Sequence, residues 1–186
     1  MIISHSRRFI FVKSEKTGGT SVERAIQPFL ENIDIFDEGS HFLPTQIVES
    51  HGKNTFDEYF KFSIIRNPFD KMVSHYYWHG HIEPGRYESF DIFVEEFYKY
   101  KIISNWKYFS IDNSIVLDRI LRYENLQDDL NSIYINTGIC IDVSGIHEKS
   151  NIRPTDATYQ SYYSDATRNM VEIACSQEIA MFGYIY

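Results

Sequence analysis

The sequence predicts an α/β fold, with a mainly parallel sheet flanked by helices. Three observations carry the prediction. Two short apolar runs, Phe9-Ile10-Phe11-Val12 and Phe62-Ser63-Ile64-Ile65, lack the in–out alternation of a half-exposed strand, so they read as strands buried on both faces. Each is followed by a turn, and each turn by a helical pattern. Strands that alternate with helices build a parallel sheet, and such sheets bind ligands beyond the carboxyl ends of their strands.

Taken in order, the first strand gives way to a polar, glycine-containing turn from Lys13 to Gly19. Thr20 and Ser21 open a helix in which Val22, Ala25, Ile26, Phe29 and Leu30 form one apolar face. Thr20 with Glu23 has capping-box spacing. The second strand ends at Arg66-Asn67-Pro68, and Pro68 suits the first turn of a helix running from Phe69 to Trp78. His79 to Glu88, with Gly80, Pro84 and Gly85, reads as a loop. A helix over Phe90 to Tyr100, a short strand over Ile120 to Tyr123 and a helix over Leu126 to Ile135 follow. Residues 138–158 read mostly as loop, and Ser164 is placed to cap a last helix from Asp165 to about Met181. No repeat, low-complexity tract or linker interrupts the pattern, so one domain over residues 1–186 is expected.

The composition is globular, with 43% hydrophobic and 24% charged residues. Aromatic residues reach 16%; most belong in the core, though Tyr and Trp rings also stack on sugars and adenine. The net charge of −8 provides no general electrostatic footprint for nucleic acid or anionic membrane. An anionic ligand must therefore be held by a few placed basic groups. Cys140 and Cys175 lack Cys-x-x-Cys spacing and suggest neither a disulfide framework nor a zinc site. The run Phe9 to Val12 is too short for a signal peptide or a membrane span, so a cytoplasmic protein with no membrane span and no nucleic-acid partner is expected.

Two segments carry candidate chemistry. The first is Lys16-Thr17-Gly18-Gly19-Thr20-Ser21. Its glycines permit unusual dihedrals and close approach of backbone to ligand. The amides of Gly18 to Ser21, at a helix N-terminus, would point at an anion, with the Lys16 charge and the Thr20 and Ser21 hydroxyls beside them. The order differs from a Walker A loop, in which lysine follows the second glycine, and a capped helix after a tight turn would use the same residues. The second segment is Arg66-Asn67-Pro68-Phe69-Asp70-Lys71-Met72-Val73-Ser74. A strand-end arginine can grip a phosphate through two parallel hydrogen bonds, or pair with a carboxylate such as Asp70.

Together, in this order and spacing, the two segments resemble the sulfotransferase superfamily that uses 3'-phosphoadenosine 5'-phosphosulfate (PAPS), and within it the carbohydrate, family 2-like branch. Residues Phe11 to Glu23 resemble the family's 5'-phosphosulfate loop, and Ile65 to Trp78 resemble its 3'-phosphate motif, with Lys71 where arginine is common. Arg122-Tyr123-Glu124-Asn125-Leu126, Asn151-Ile152-Arg153-Pro154 and Phe182-Gly183-Tyr184 resemble later family segments. The resemblance implies a P-loop-like nucleotide-binding architecture. It also implies sulfuryl transfer from PAPS to a hydroxyl-bearing acceptor, with a saccharide expected and no metal required. By the same resemblance, Lys16 contacts the 5'-phosphate and its bridging oxygen, and Thr17, Gly18, Gly19, Thr20 and Ser21 form the cradle. Arg66 and Ser74 hold the 3'-phosphate, and Arg153 closes over the same nucleotide.

Sulfuryl transfer also needs a base for the acceptor proton, and histidine is the usual choice near neutrality. His41 lies in a segment where the family often places a histidine and is the expected base, with His51 and Glu15 as rivals. His75 and His79 have the i, i+4 spacing of a zinc pair, but Tyr76 stands where a His-Glu-x-x-His site needs glutamate. Two other readings use the same residues. A P-loop-like small-molecule kinase would need Mg²⁺ ligands and a Walker lysine, neither of which is evident. A nucleotide-binding module would keep Lys16 and Arg66 without a working base.

Overall fold

The computed structural model describes residues 1–146, 152–153 and 157–186. The chain separates into two compact units, one formed by Met1–Ile65 and Lys107–Glu148, the other by Arg66–Trp106 and Lys149–Tyr186. Along the chain run β1 (Ile2–Ser4), β2 (Phe9–Phe11), α1 (Gly19–Ile26), β3 (Ile35–Phe36), α2 (Pro44–His51), α3 (Lys53–Glu58) and β4 (Phe60–Ile65). Next come α4 (Pro68–Ile82), α5 (Phe90–Lys99), β5 (Ser110–Ile111), β6 (Ser114–Ile115) and β7 (Arg119–Arg122). The described elements end with α6 (Leu126–Ser132), α7 (Tyr134–Thr137), α8 (Asp165–Ala174) and α9 (Ser176–Phe182).

The first unit holds a five-stranded sheet in the order β3-β1-β2-β4-β7. Its centre is parallel, as expected, with Phe11 opposite Phe62 and Ile64 opposite Leu121. Its edge is antiparallel, since β1 runs against both β2 and β3. That edge escapes the sequence because strands of three and two residues are too short to show a period. Phe9, Phe11, Phe62 and Ile64 share one buried core with Val22 and Ile26 of α1. Each such side chain contributes about 1.5–3 kcal/mol by burial, so the middle of the sheet is a firm base from which the turn from Lys13 to Gly19 departs. A separate hairpin, β5–β6, turns through Asp112 (φ 48°) and Asn113 (φ 62°). Two left-handed residues are what a two-residue hairpin requires, and Asp and Asn tolerate that conformation.

The second unit is helical, with Phe69, Met72, Phe93, Phe97 and Val171 in its core. Asn67 caps α4, its Oδ1 accepting from Phe69 N at 3.0 Å, and Pro68 follows at the first helical position. The helix runs through Gly80 to Ile82, beyond the expected end at Trp78. An exposed mid-helix glycine costs only about 1 kcal/mol. The stop comes instead at Glu83 (φ −133°, ψ 72°), the residue before Pro84, which proline bars from helical geometry. Ser164 caps α8 as expected, its Oγ accepting from Thr167 N at 3.3 Å. The single last helix expected from the sequence is divided at Cys175, whose φ of −108° leaves the helical range.

Candidate active site

In the first unit, β2 and β4 end on the same edge of the sheet, and the chain leaving β2 stays on β4. Val12 N donates to Phe62 O at 2.9 Å, Ser63 Oγ donates to Val12 O at 2.6 Å, and Ser14 Oγ donates to Ile64 O. Thr17 Oγ1 lies 2.9 Å from Ser14 Oγ, and Thr17 is buried. Its hydroxyl braces the turn, so Thr17 has only its backbone to offer a ligand. Lys16 then takes a left-handed backbone, φ 59°, and Gly18 takes φ 78°. Glycine adopts this region freely, whereas lysine is strained there, and such strain concentrates at functional sites.

The two glycines are required for different reasons. A Cβ on Gly18 would meet the Tyr123 ring at 3.1 Å in a conformation that already disfavours side chains. A Cβ on Gly19 would sit 2.8 Å from Lys13 Cγ. Lys13 cannot easily give way, because its Nζ is held 2.5 Å from Glu23 Oε2 with both groups buried. The other Glu23 oxygen lies 2.9 Å from the Met1 amino group. The capping-box spacing of Thr20 and Glu23 is therefore not used. Gly18 is the N-cap, Glu23 is drawn into the interior, and no side chain caps the start of α1. That leaves the helix presenting the N–H groups of Gly19 and Thr20, which have no carbonyl one turn back to bond. Ser21 N donates to Gly18 O at 3.0 Å, so Ser21 brings its hydroxyl rather than its amide.

His41 is tied to the same loop. Its Nδ1 lies 3.0 Å from the Lys13 carbonyl, which can only accept, so Nδ1 carries the proton and donates it. The lone pair is then on Nε2. Partial desolvation pushes the imidazole below the usual histidine pKa, against the Lys13 carbonyl and the Glu15 charge, which favour the imidazolium. Glu15, a rival for the base, accepts a hydrogen bond from the Tyr108 hydroxyl at 2.6 Å, with Lys107 Nζ 4.0 Å away. The Tyr108 ring also lies 6.0 Å from that of His41. Nothing local in the sequence marks Tyr108, which reaches Glu15 only through the fold. His51 is the last residue of α2.

In the second unit, Arg66 is the residue that follows β4 in the chain, and its Nε and Nη2 lie 2.7 and 2.6 Å from Asp70 Oδ2. Arg153 Nη1 lies 2.5 Å from the other Asp70 oxygen. Burial pushes the Asp70 pKa up, but Arg66 and Arg153 outweigh it and hold the carboxyl below the usual range. Ser74 is half-buried one helical turn beyond Asp70 on the same stripe of α4. One turn further on this stripe, the Tyr77 hydroxyl lies 2.9 Å from that of Tyr162. Lys71, placed where the resembled family favours arginine, is buried and donates to the Ile103 carbonyl. His75 and His79, both half-buried, pack against Phe93 and Phe97 at the margin of the aromatic core. Asn151 and Pro154 lie outside the described residues.

The resemblance rests on the Lys16–Ser21 and Arg66–Ser74 segments, which the structure places at a strand–helix junction and at the end of β4 leading into α4. The model of the sulfotransferase family matches residues 1–184. The chain belongs to the sulfotransferase family. An uncharacterised protein of Archaeoglobus fulgidus is 30% identical over 108 residues, which cover 52% of this chain and 83% of that protein. Among solved structures, mouse sulfotransferase SULT7A1 complexed with PAP matches with a TM-score of 0.55 at 14% identity, over 95% of this chain and 85% of that one. At that identity the likeness establishes the fold. Among the described residues, no helix of this sulfotransferase-family protein is long and apolar enough to cross a membrane.

Proposed function

We propose that this chain transfers a sulfuryl group from PAPS to a hydroxyl, and that the acceptor is a saccharide. The observation that carries the reading is the bond from His41 Nδ1 to the backbone of the Lys16 loop. It ties a neutral imidazole, with its Nε2 lone pair, to the segment that carries the cationic side chain and the helix N-terminus.

The residues present fit the nucleotide. Gly18 and Gly19 let the loop pack tightly against Tyr123 and Lys13, and the first amides of α1 are not taken by a side-chain cap. In this reading the Lys16 loop holds the 5'-phosphosulfate, while Arg66, Ser74 and Arg153 hold the 3'-phosphate. Bound PAPS supplies the sulfuryl group. Lys16 and the α1 amides stabilise negative charge developing on the leaving phosphate. His41 Nε2 accepts the proton of the acceptor hydroxyl, and Glu15 favours the resulting imidazolium electrostatically. A saccharide acceptor is supported by the resemblance to the carbohydrate branch. A heavily sulfated chain suits the net charge of −8 less well.

Calorimetry tests the nucleotide assignment. PAP, the desulfated nucleotide, should bind much more tightly than AMP, which lacks the 3'-phosphate, and more tightly than ATP. Equal affinity for PAP and AMP would reject the assignment, and preference for ATP with a Mg²⁺ requirement would move the reading to a kinase.

A further inference from the structure

Asp70 has no part so far in binding or chemistry, yet the two arginines proposed to hold the 3'-phosphate meet on it. One oxygen faces Arg66 Nε and Nη2 at 2.7 and 2.6 Å, and the other faces Arg153 Nη1 at 2.5 Å. All three side chains are largely buried, at 12%, 20% and 22% exposure for Arg66, Asp70 and Arg153. Arg66 begins the segment leading into α4, whereas Arg153 comes from a distant part of the chain, and both bond the same carboxylate. Two guanidiniums brought this close repel each other, and in a partly desolvated setting the repulsion is weakly screened. A carboxylate between them removes it and fixes both planar forks through charge-assisted hydrogen bonds. The trio keeps a net charge of about +1, the sum of two guanidinium charges and one carboxylate.

We infer that Asp70 is a positioning residue, whose carboxylate holds Arg66 and Arg153 as a preorganised pair for the 3'-phosphate of the nucleotide. This rests on the proposed use of PAPS. Asp70 has one obvious alternative role, as a competing anion that the phosphate must displace. The two roles differ in sign. If Asp70 only competes, neutralising it frees the arginines and tightens phosphate binding. If it positions them, neutralising it lets the pair splay and weakens binding, despite the gain in local positive charge.

The experiment is calorimetry of PAP and AMP with wild type, Asp70→Asn and Asp70→Glu, alongside thermal unfolding of each protein. Asp70→Asn should bind PAP about tenfold or more weakly, the scale of one charge-assisted contact, and AMP within about twofold of wild type. Asp70→Glu, which restores the charge on a longer arm, should recover part of the PAP affinity. Unchanged or tighter PAP binding by folded Asp70→Asn would overturn the inference, as would an equal loss for PAP and AMP. If Asp70→Asn does not fold, Asp70→Glu carries the test, because it keeps the charge but shifts the carboxylate away from the two guanidiniums. It should lose about threefold or more in PAP affinity with AMP unchanged, and an unchanged PAP-to-AMP ratio would overturn the inference. Wild type without a PAP preference rejects the proposed function itself. A wild-type preference that survives in Asp70→Asn rejects only the positioning role.

Discussion

The Lys16 loop and the Arg66 site are both proposed to hold phosphate, and they are built by opposite means. The loop works through backbone. Lys16 and Gly18 take left-handed dihedrals, Ser14 and Thr17 brace the turn against β4, and α1 begins uncapped. The Arg66 site works through side chains, two guanidiniums on one carboxylate. Backbone amides are fixed when the sheet folds and need no rearrangement as charge develops, which suits a transition state. Ion-paired arginines suit recognition of a charge already present in the ground state. In the proposed function, chemistry then falls to the loop with His41 and holding to the arginines.

The assignment breaks most visibly in kinetics. His41→Ala should lower turnover by about 10²–10⁴-fold, as loss of a general base does, while PAP affinity in calorimetry stays near wild type. The pH profile gives the sign. His41 must be neutral to accept a proton, and its pKa lies below the usual histidine value. Wild-type kcat/KM should then fall only as pH drops below the ordinary histidine range, and His41→Ala should lose that acidic limb. Retention of normal turnover and limb would pass the role to His51 or Glu15. Lys16→Ala should cost about 10²–10³-fold in turnover at every pH, as loss of one preorganised donor to developing charge does. Arg66→Ala should behave differently. It should weaken PAP by about 1.5–3 kcal/mol while kcat at saturating PAPS stays within about threefold of wild type, the pattern of lost uniform binding. A kcat collapse in Arg66→Ala would dissolve the division between the two regions.

Gly18→Ala sharpens the same contrast through stability. It places a side chain at φ 78° and within 3.1 Å of Tyr123, which should cost about 1–2 kcal/mol on the scale of a left-handed residue, read as a lowered Tm. Activity in EDTA should not change, because Lys16 and backbone amides supply the electrostatics; a loss restored by Mg²⁺ would count against the account.

The two regions also differ in how far the sequence disclosed them. The position of the loop was legible because β2 and α1 carry clear apolar patterns on either side of its glycines, although a capped helix after a tight turn would use the same residues. Even so, Thr17 turned inward and Glu23 left its capping position for Lys13, since a buried charge takes a full partner before a helix cap. At the second site the Arg66–Asp70 pair was one of two alternatives, and the structure shows that pair, with Arg153 as a third member that no local spacing could show. The Tyr108–Glu15 bond is likewise a product of tertiary folding. The antiparallel edge β1–β3 and the Asp112-Asn113 hairpin were missed for want of length, although the paired turn residues were a usable signal.

The most direct test of the central claim is turnover with PAPS labelled in its sulfuryl group, offered with a panel of saccharides, and with labelled ATP in a parallel reaction. The account predicts label transferred from PAPS to a saccharide hydroxyl by wild type, close to background in Lys16→Ala, and none transferred from ATP. Tight PAPS binding without transfer to any hydroxyl acceptor, or label transferred from ATP instead, would contradict it.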